Sequence, residues 1–257
     1  MDDLLLLAAI VSAVVGAWSL KQYYAGPPLA VGPVAGTETW TVEEVDALRL
    51  GSVEVSGPGE FRRLVSVVAT ARPGPGGPLR TREDGVECVW WRSETTRHHV
   101  ELVDGERVAR SERVGHNWSR EPFTLADPTG TITVWPDGAE VTGAKAVHRV
   151  DEQVTPEAAE SVWSKLTDKD TTTAVVTVEY AVRAGERVFV HGEAHDRLDG
   201  LTIAKSPSGA PFHISTKPEH VLRERAEKAD RAVASLRLRG YGLIGLAVVF
   251  MILFYVV

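Results

Sequence analysis

Several groups of side chains in this sequence have the types that do chemistry, and their spacing limits what each could do. His191-Gly192-Glu193-Ala194-His195 places two imidazoles four residues apart with a carboxylate between them. A zinc hydrolase motif needs its two histidines on one helix face with the glutamate next to the first. The glutamate here is displaced, and the surrounding residues read as a strand. On a strand, residues four apart lie about 13 Å from each other, too far to share one ion without a bend. His98 and His99 are neighbours on a strand-like run and point to opposite faces.

Cys88 is the single cysteine of the chain. It could serve as a nucleophile with a histidine base, but its apolar, strand-like surroundings suit a small core residue. Glu193 with Asp196, or Asp127 with Asp137, can be drawn as acid and base, yet they read as turn and surface carboxylates. No Gly-x-Ser-x-Gly elbow is present. The glycine-rich stretch from Arg72 to Pro78 lacks the Gly-Lys-Ser/Thr ending and following helix of a phosphate loop. These readings assign no catalytic residue, no metal and no cofactor.

Recognition is better provided for. Trp90 and Trp91 are adjacent, so on a strand they face opposite ways and cannot both enter a core. One of them packs inward. If the other is exposed, Trp91 beside Arg92 makes an anchor for a protein partner; otherwise a loop or the helix near the membrane covers it. Trp118 and Trp135 are the further tryptophans of interest in this segment.

The elements that would hold these residues follow from local pattern. Ala25 to Gly36, with Pro27, Pro28 and Pro33, is a linker. Thr41 can cap a short helix over Val42 to Leu48, and the alternation between Gly51 and Gly57 predicts a strand. Val86 to Leu102 and Glu106 to Arg110 read as strands around the turn Asp104-Gly105. Phe123 to Ala126 and Thr131 to Trp135 make a hairpin around Asp127-Pro128-Thr129-Gly130. Thr155-Pro156 opens a helix reaching about Leu166. Strands follow at Thr173 to Tyr180, Arg187 to Ala194 and Leu201 to Ala204, and Lys217-Pro218 opens a last helix. Many short strands around small turns suggest a sandwich or a small barrel, and the hairpin from Phe123 to Val134 has the look of an OB-like barrel.

Two runs without charge, Leu4 to Leu20 and Tyr241 to Val257, lie at the ends. As helices each measures about 25 Å, near the short limit for a bilayer span. The start Met1-Asp2-Asp3 is unlike a cleaved signal peptide, so both runs read as membrane anchors. Lys21, Arg237, Arg239 and Tyr241 then fall at the membrane interface, and the basic stretch from Arg223 to Arg239 faces anionic lipid. These flanks, with one cysteine, place the middle segment in the cytoplasm of a prokaryote. A net charge of −7 without a basic stripe over the middle segment argues against nucleic acid as a partner.

The expected fold class is therefore α+β: a membrane-anchored β-rich domain, OB-like if it closes as a small barrel, flanked by two transmembrane helices. Its expected parts are an anchor at 4–20, a linker at 21–40, the β-rich domain at 41–217, a juxtamembrane helix at 218–240 and an anchor at 241–257. The location that follows is a two-pass protein of the cell membrane with its central domain in the cytoplasm. Membrane lipid and a protein are the expected partners.

Cys88-Val89-Trp90-Trp91-Arg92, Trp118 ahead of Pro122-Phe123-Thr124-Leu125-Ala126-Asp127 with Gly130 and Val134, and Pro136-Asp137-Gly138-Ala139 together resemble the membrane-flanked domain of the GIDE (MULAN) ubiquitin ligases. Gly185 to Ala194 and Pro211 to Lys217 are similar to the end of that domain. The resemblance covers roughly Gly51 to the C-terminus and implies a domain, also termed BAM, that binds partners beside a membrane. In the eukaryotic ligases a RING finger follows the second anchor and needs about eight Cys and His ligands for two zinc ions. One cysteine, and a sequence that stops at Val257 within the apolar run, leave no expectation of a RING here. The reading is thus a non-catalytic binding or scaffold module that recruits a protein; the alternative, implied by the family name, is a ubiquitin-ligase-like function.

Overall fold

Apolar residues alternate along Arg62–Arg72, and that alternation decides which side of the strand is inside. Val65, Val67, Ala69 and Ala71 are buried, whereas Leu64, Val68, Thr70 and Arg72 lie on the other face. In the computed structural model of the chain, residues 10–18, 20–21, 38–104, 106–153, 170–198 and 200–256 are described. In chain order the described strands are β1 (Thr39–Trp40), β2 (Arg62–Arg72), β3 (Leu79–Arg80), β4 (Glu87–Cys88), β5 (Trp90–Val103), β6 (Glu106–Trp118), β7 (Phe123–Asp127), β8 (Gly130–Val134), β9 (Glu140–Thr142), β10 (Lys145–Gln153), β11 (Asp170–Val182), β12 (Arg187–Leu198), β13 (Gly200–Ala204) and β14 (His213–Ser215). Helix α1 spans Val42–Ser56 and helix α2 spans Glu219–Val256.

β2, β7, β8, β13 and β12 follow one another in a single sheet, and β12 pairs back onto β2, so the five strands close into a small barrel. All contacts in the ring are antiparallel except β8 with β13. Its core holds Val67, Phe123, Leu125, Ile132, Val134, Val190 and Ile203. Gly192 is required by that packing: a β-carbon there would sit 2.7 Å from the Phe212 ring and 2.9 Å from Ile203. β1 extends the sheet beside β2, and β14 with β9 extends it beside β12.

One carboxylate ties the β7–β8 turn to α1. Asp127 accepts hydrogen bonds from the Thr129 amide (2.8 Å), the Thr129 hydroxyl (2.6 Å) and the Gly130 amide (2.9 Å), and from the Val42 amide at the start of α1 (2.9 Å). Thr41 and Glu44 close a reciprocal capping box on the same helix end. With its first turn fixed, α1 buries Val42 and Val45 in the barrel core. The helix continues to Ser56, which overturns the strand expected between Gly51 and Gly57. Val55 is 87% exposed, so the alternation read there has no buried face to serve. A capped helix adds one hydrogen bond per residue as it extends and runs on until Gly57 ends it at φ 85°.

β10, β11, β5 and β6 form a separate antiparallel sheet in that order. It is rooted in the core by Trp90 and Val182, and its strands run outward from there. The chain divides into two compact units, Glu38–Pro218 carrying these two sheets and the two-stranded sheet of β3 with β4, and Met1–Thr37 with Glu219–Val257. Within the latter unit Gly16 and Gly240 let two helical segments approach closely. A β-carbon on Gly16 would lie 3.0 Å from the Gly240 carbonyl oxygen, and one on Gly240 would lie 2.8 Å from Leu20.

The flanking transmembrane helices expected from the sequence are not supported. Among the described residues no helix is long and apolar enough to cross a membrane. α2 is 38 residues long, but its charges continue to Arg239, and the uncharged part from Tyr241 to Val256 measures only about 24 Å against a hydrocarbon core of about 30 Å. Of the first run, only residues 10–18 and 20 are described. The two-pass placement in the cell membrane, with a cytoplasmic central domain inferred from it, falls with those helices. Most of the linker expected at 21–40 and the whole helix expected from Thr155 to Leu166 lie outside the described residues.

The Asp127 clamp has a measurable consequence. Burial raises its pKa, but the hydrogen bonds from Thr129, Val42 and Gly130 outweigh that and hold the carboxyl below its ordinary range. A carboxyl depressed by folding stabilises the fold above its unfolded pKa of about 3.9 and loses that contribution as pH falls through the folded value. We expect Asp127→Ala to lower unfolding stability at neutral pH by about 2–3 kcal/mol, and Thr41→Ala by about 1 kcal/mol. Chemical denaturation of both variants checks the ranking, which fails if Asp127→Ala is the milder change.

Candidate functional site

Strand geometry separates the two residues that the sequence joined. Trp91 is paired with Ala181 and Arg92 with Tyr180, so they belong to opposite faces of the β5–β11 sheet. Trp90, on the same face as Arg92, is 4% exposed and packs in the core.

On the Trp91 face a loop covers the sheet. Glu179 is 0% exposed near the C-terminal end of β11. Its carboxylate accepts the amides of Arg82 and Glu83, each at 3.2 Å. Asp84 of the same loop lies 2.9 Å from the His148 ring on β10, opposite Glu179 in register. The Arg82 guanidinium stacks 5.2 Å over the Trp91 ring. A buried carboxylate must find donors; here it finds them in a loop backbone. Trp91 is thus half-buried with the Arg82 side chain over its ring, on the face opposite Arg92.

The Arg92 face is different. Tyr180, Arg92 and Trp118 are in direct register across β11, β5 and β6, which puts the three side chains in one row. The Arg92 guanidinium stacks 5.0 Å over Tyr180, and its Nε lies 3.3 Å from the Glu94 carboxylate. Trp118 leans on the core from its inner side and is stacked against His116, with ring centroids 4.5 Å apart. Arg120 lies 5.4 Å over Trp118 and 3.5 Å from Asp137. All three members of the row are half-buried. The arrangement presents two aromatic faces and delocalised cations on a rigid sheet, held by cation–π contacts of about 0.5–1 kcal/mol each at such sites.

The remaining chemistry-bearing residues are accounted for by packing. Ser66 Oγ lies 2.9 Å from His191 Nδ1, the spacing of a nucleophile and its base. Ser66 is 1% and His191 3% exposed, however, so no substrate carbonyl reaches the pair. His213, opposite His191 in register, is hydrogen-bonded to Thr142 through Nε2 at 3.1 Å, and Thr142 reaches Ser215. The Cys88 thiol is buried and pushed up to about 11, first by burial and then by the charges of Glu179 and Glu87. A thiol with that pKa is protonated at neutral pH and inert as a nucleophile. His191 and His195 both lie on β12, with Glu193 between them bonded to Ser206. His98 Nδ1 is bonded to Ser111. Among the described residues no three metal-ligating side chains converge on one point.

Lys21, Arg237, Arg239 and Tyr241 are exposed on helical segments of the unit built from the two ends. The membrane-interface role expected for them depended on the spans that are not supported. Tyr180 and Glu179 were not singled out from the sequence. A single acid inside the otherwise apolar and hydroxylic run Thr173 to Tyr180 was the available signal.

Burial lowers the pKa of His213 to about 4, with further lowering by His191 and Lys217, and burial lowers that of His191. Both stay neutral in the fold while the unfolded chain takes up protons near pH 6.5. Stability is therefore full above about pH 6.5 and falls as pH drops towards about 4. We expect His213→Gln to remove part of this slope, on the order of 3 kcal/mol at most, in denaturation curves compared between pH 7 and 4.5. An unchanged slope would show that the imidazole does not titrate on unfolding.

The sequence from residue 93 to 250 matches a family described as GIDE, E3 ubiquitin ligase. No curated protein and no solved structure matches the chain. The matched stretch is well over half of the chain and includes Trp118 and Tyr180 of the row, β12 and the start of the apolar end of α2, and it begins one residue after Arg92. The chain belongs to the GIDE family.

Proposed function

We propose that the β-rich unit is a non-catalytic binding module that recruits a protein partner through the face bearing Tyr180, Arg92 and Trp118. The observation that supports this reading is the row itself: tyrosine, arginine and tryptophan are the residue types that dominate protein interfaces, and here they are in register on one half-exposed surface. Because the strands hold the row, a partner would meet it already in place and little ordering entropy would be lost on binding.

The ligase activity in the family description is not carried by a RING in this sequence. Its single cysteine is the buried Cys88, and a RING needs about eight Cys and His ligands for two zinc ions. Recruitment is the part of a ligase's work that such a module can supply without those ligands.

The experiment is crosslinking capture from cells expressing the chain, comparing the wild type with Arg92→Ala/Tyr180→Ala. A partner present with the wild type should be depleted about tenfold or more in the double variant, the loss expected for one interface hot spot. Trp91→Ala, which opens the other face, should leave the partner in place once protein levels are matched. A captured set that is the same for the wild type and the double variant would refute the row as the docking surface.

A further inference from the structure

The outer surface of the barrel carries a cavity of about 440 Å³ lined by Val68, Thr70, Arg72, Ala126, Asp127 and Arg187. Val68, Thr70 and Arg72 share the outward face of β2, because the residues between them, Ala69 and Ala71, are buried in the barrel. Arg187 on β12 is directly opposite Thr70, and Arg72 is two residues further along β2. That offset puts the two arginine β-carbons on a diagonal of about 7–8 Å, within which two long side chains can converge on one point. The backbone beneath them is fixed: the Ala71 amide bonds to the Glu186 carbonyl and the Gly185 amide to the Ala71 carbonyl, both at 2.8 Å.

Both arginines are exposed, and among the described residues neither guanidinium has a carboxylate partner. An acid does line the same cavity, but both oxygens of Asp127 already accept hydrogen bonds from Val42, Thr129 and Gly130. The carboxylate that could have neutralised the arginines is committed to holding α1 and the β7–β8 turn.

We infer that Arg72 and Arg187 form a binding site for a phosphoryl group, with the Thr70 hydroxyl beneath it. Each guanidinium offers a planar fork of donors. A carboxylate has two oxygens and is filled by one fork, whereas a terminal phosphoryl group has three and a second negative charge, enough to answer both. This site is separate from the aromatic row and stands whether or not that row binds a protein.

The test is calorimetric titration of the purified full chain, at low ionic strength in chloride buffer, with inorganic phosphate and separately with a phosphoserine peptide. Saturable binding of either probe is expected, weakened about tenfold or more by Arg187→Ala and by Arg72→Ala, and partly kept by Arg187→Lys, which retains the charge without the fork. Arg107→Ala, an exposed arginine of β6, should change nothing. Tighter binding of the peptide than of phosphate identifies a phosphorylated side chain as the source; equal or weaker binding identifies a small phosphate compound. Should Arg187→Ala unfold, as judged by its melting curve without phosphate, the exposed Arg72→Glu carries the test. No saturable binding of either probe, or affinities unchanged in the Arg72 variants, would overturn the site.

Discussion

The pairing of β12 with β2, from Arg187 opposite Thr70 to His195 opposite Arg62, is the constraint on which the rest of this structure depends. Without it the five strands would be an open sheet with two exposed edges, and the alternating valines of both strands would have no interior to enter. Closure removes those edges and makes inside and outside unequal for every residue of the ring. The consequences reach both candidate sites. The same ladder sets the spacing of Arg72 and Arg187 on the outer face. It also fills the barrel core in which Trp90 is anchored, and so fixes where β5 leaves the core and which of its side chains face outward.

Outward and inward are not the same as functional and structural, and Glu179 shows why. It sits near the end of β11, fully buried, with backbone amides as donors. Desolvating a carboxylate is unfavourable by several kcal/mol unless its oxygens are answered, so the loop from Thr81 to Val86 has to stay closed over it. That requirement packs the part of one face around Glu179 under the loop, while Tyr180, Arg92 and Trp118 lie on the other face. Where the loop sits is thus set by one buried carboxylate rather than by overall hydrophobicity.

Much of the β architecture was legible in the sequence because it rests on period two and on turn chemistry. The hairpin from Phe123 to Val134, the long strands beside Asp104, and β11 to β13 all lie where alternation and turn residues put them. Gly51 to Gly57 failed because a short alternating run also fits a helix end, and the deciding interaction, Asp127 with the Val42 amide, spans 85 residues. The membrane spans failed because absence of charge was weighed over length, and in α2 the uncharged part is continuous with a charged helix. Of the candidate site, Arg92 was visible from its type and its tryptophan neighbour. Tyr180 and Trp118 become its companions only through strand register, which one sequence does not contain.

The two surfaces differ in the kind of ligand that they can hold, and that difference follows from how their arginines are neutralised. Arg92 is already answered by Glu94 and by the Tyr180 ring, so its charge is partly spent and what it offers a partner is mainly flat, desolvatable area. Such a surface suits a protein, where shape and aromatic contact decide affinity. Arg72 and Arg187 have no carboxylate partner among the described residues, the acid that lines their cavity being engaged elsewhere, and a site of that sort gains most from an anion that supplies the missing oxygens. The two surfaces stand on different sheets, the row on β5, β6 and β11 and the arginines on β2 and β12.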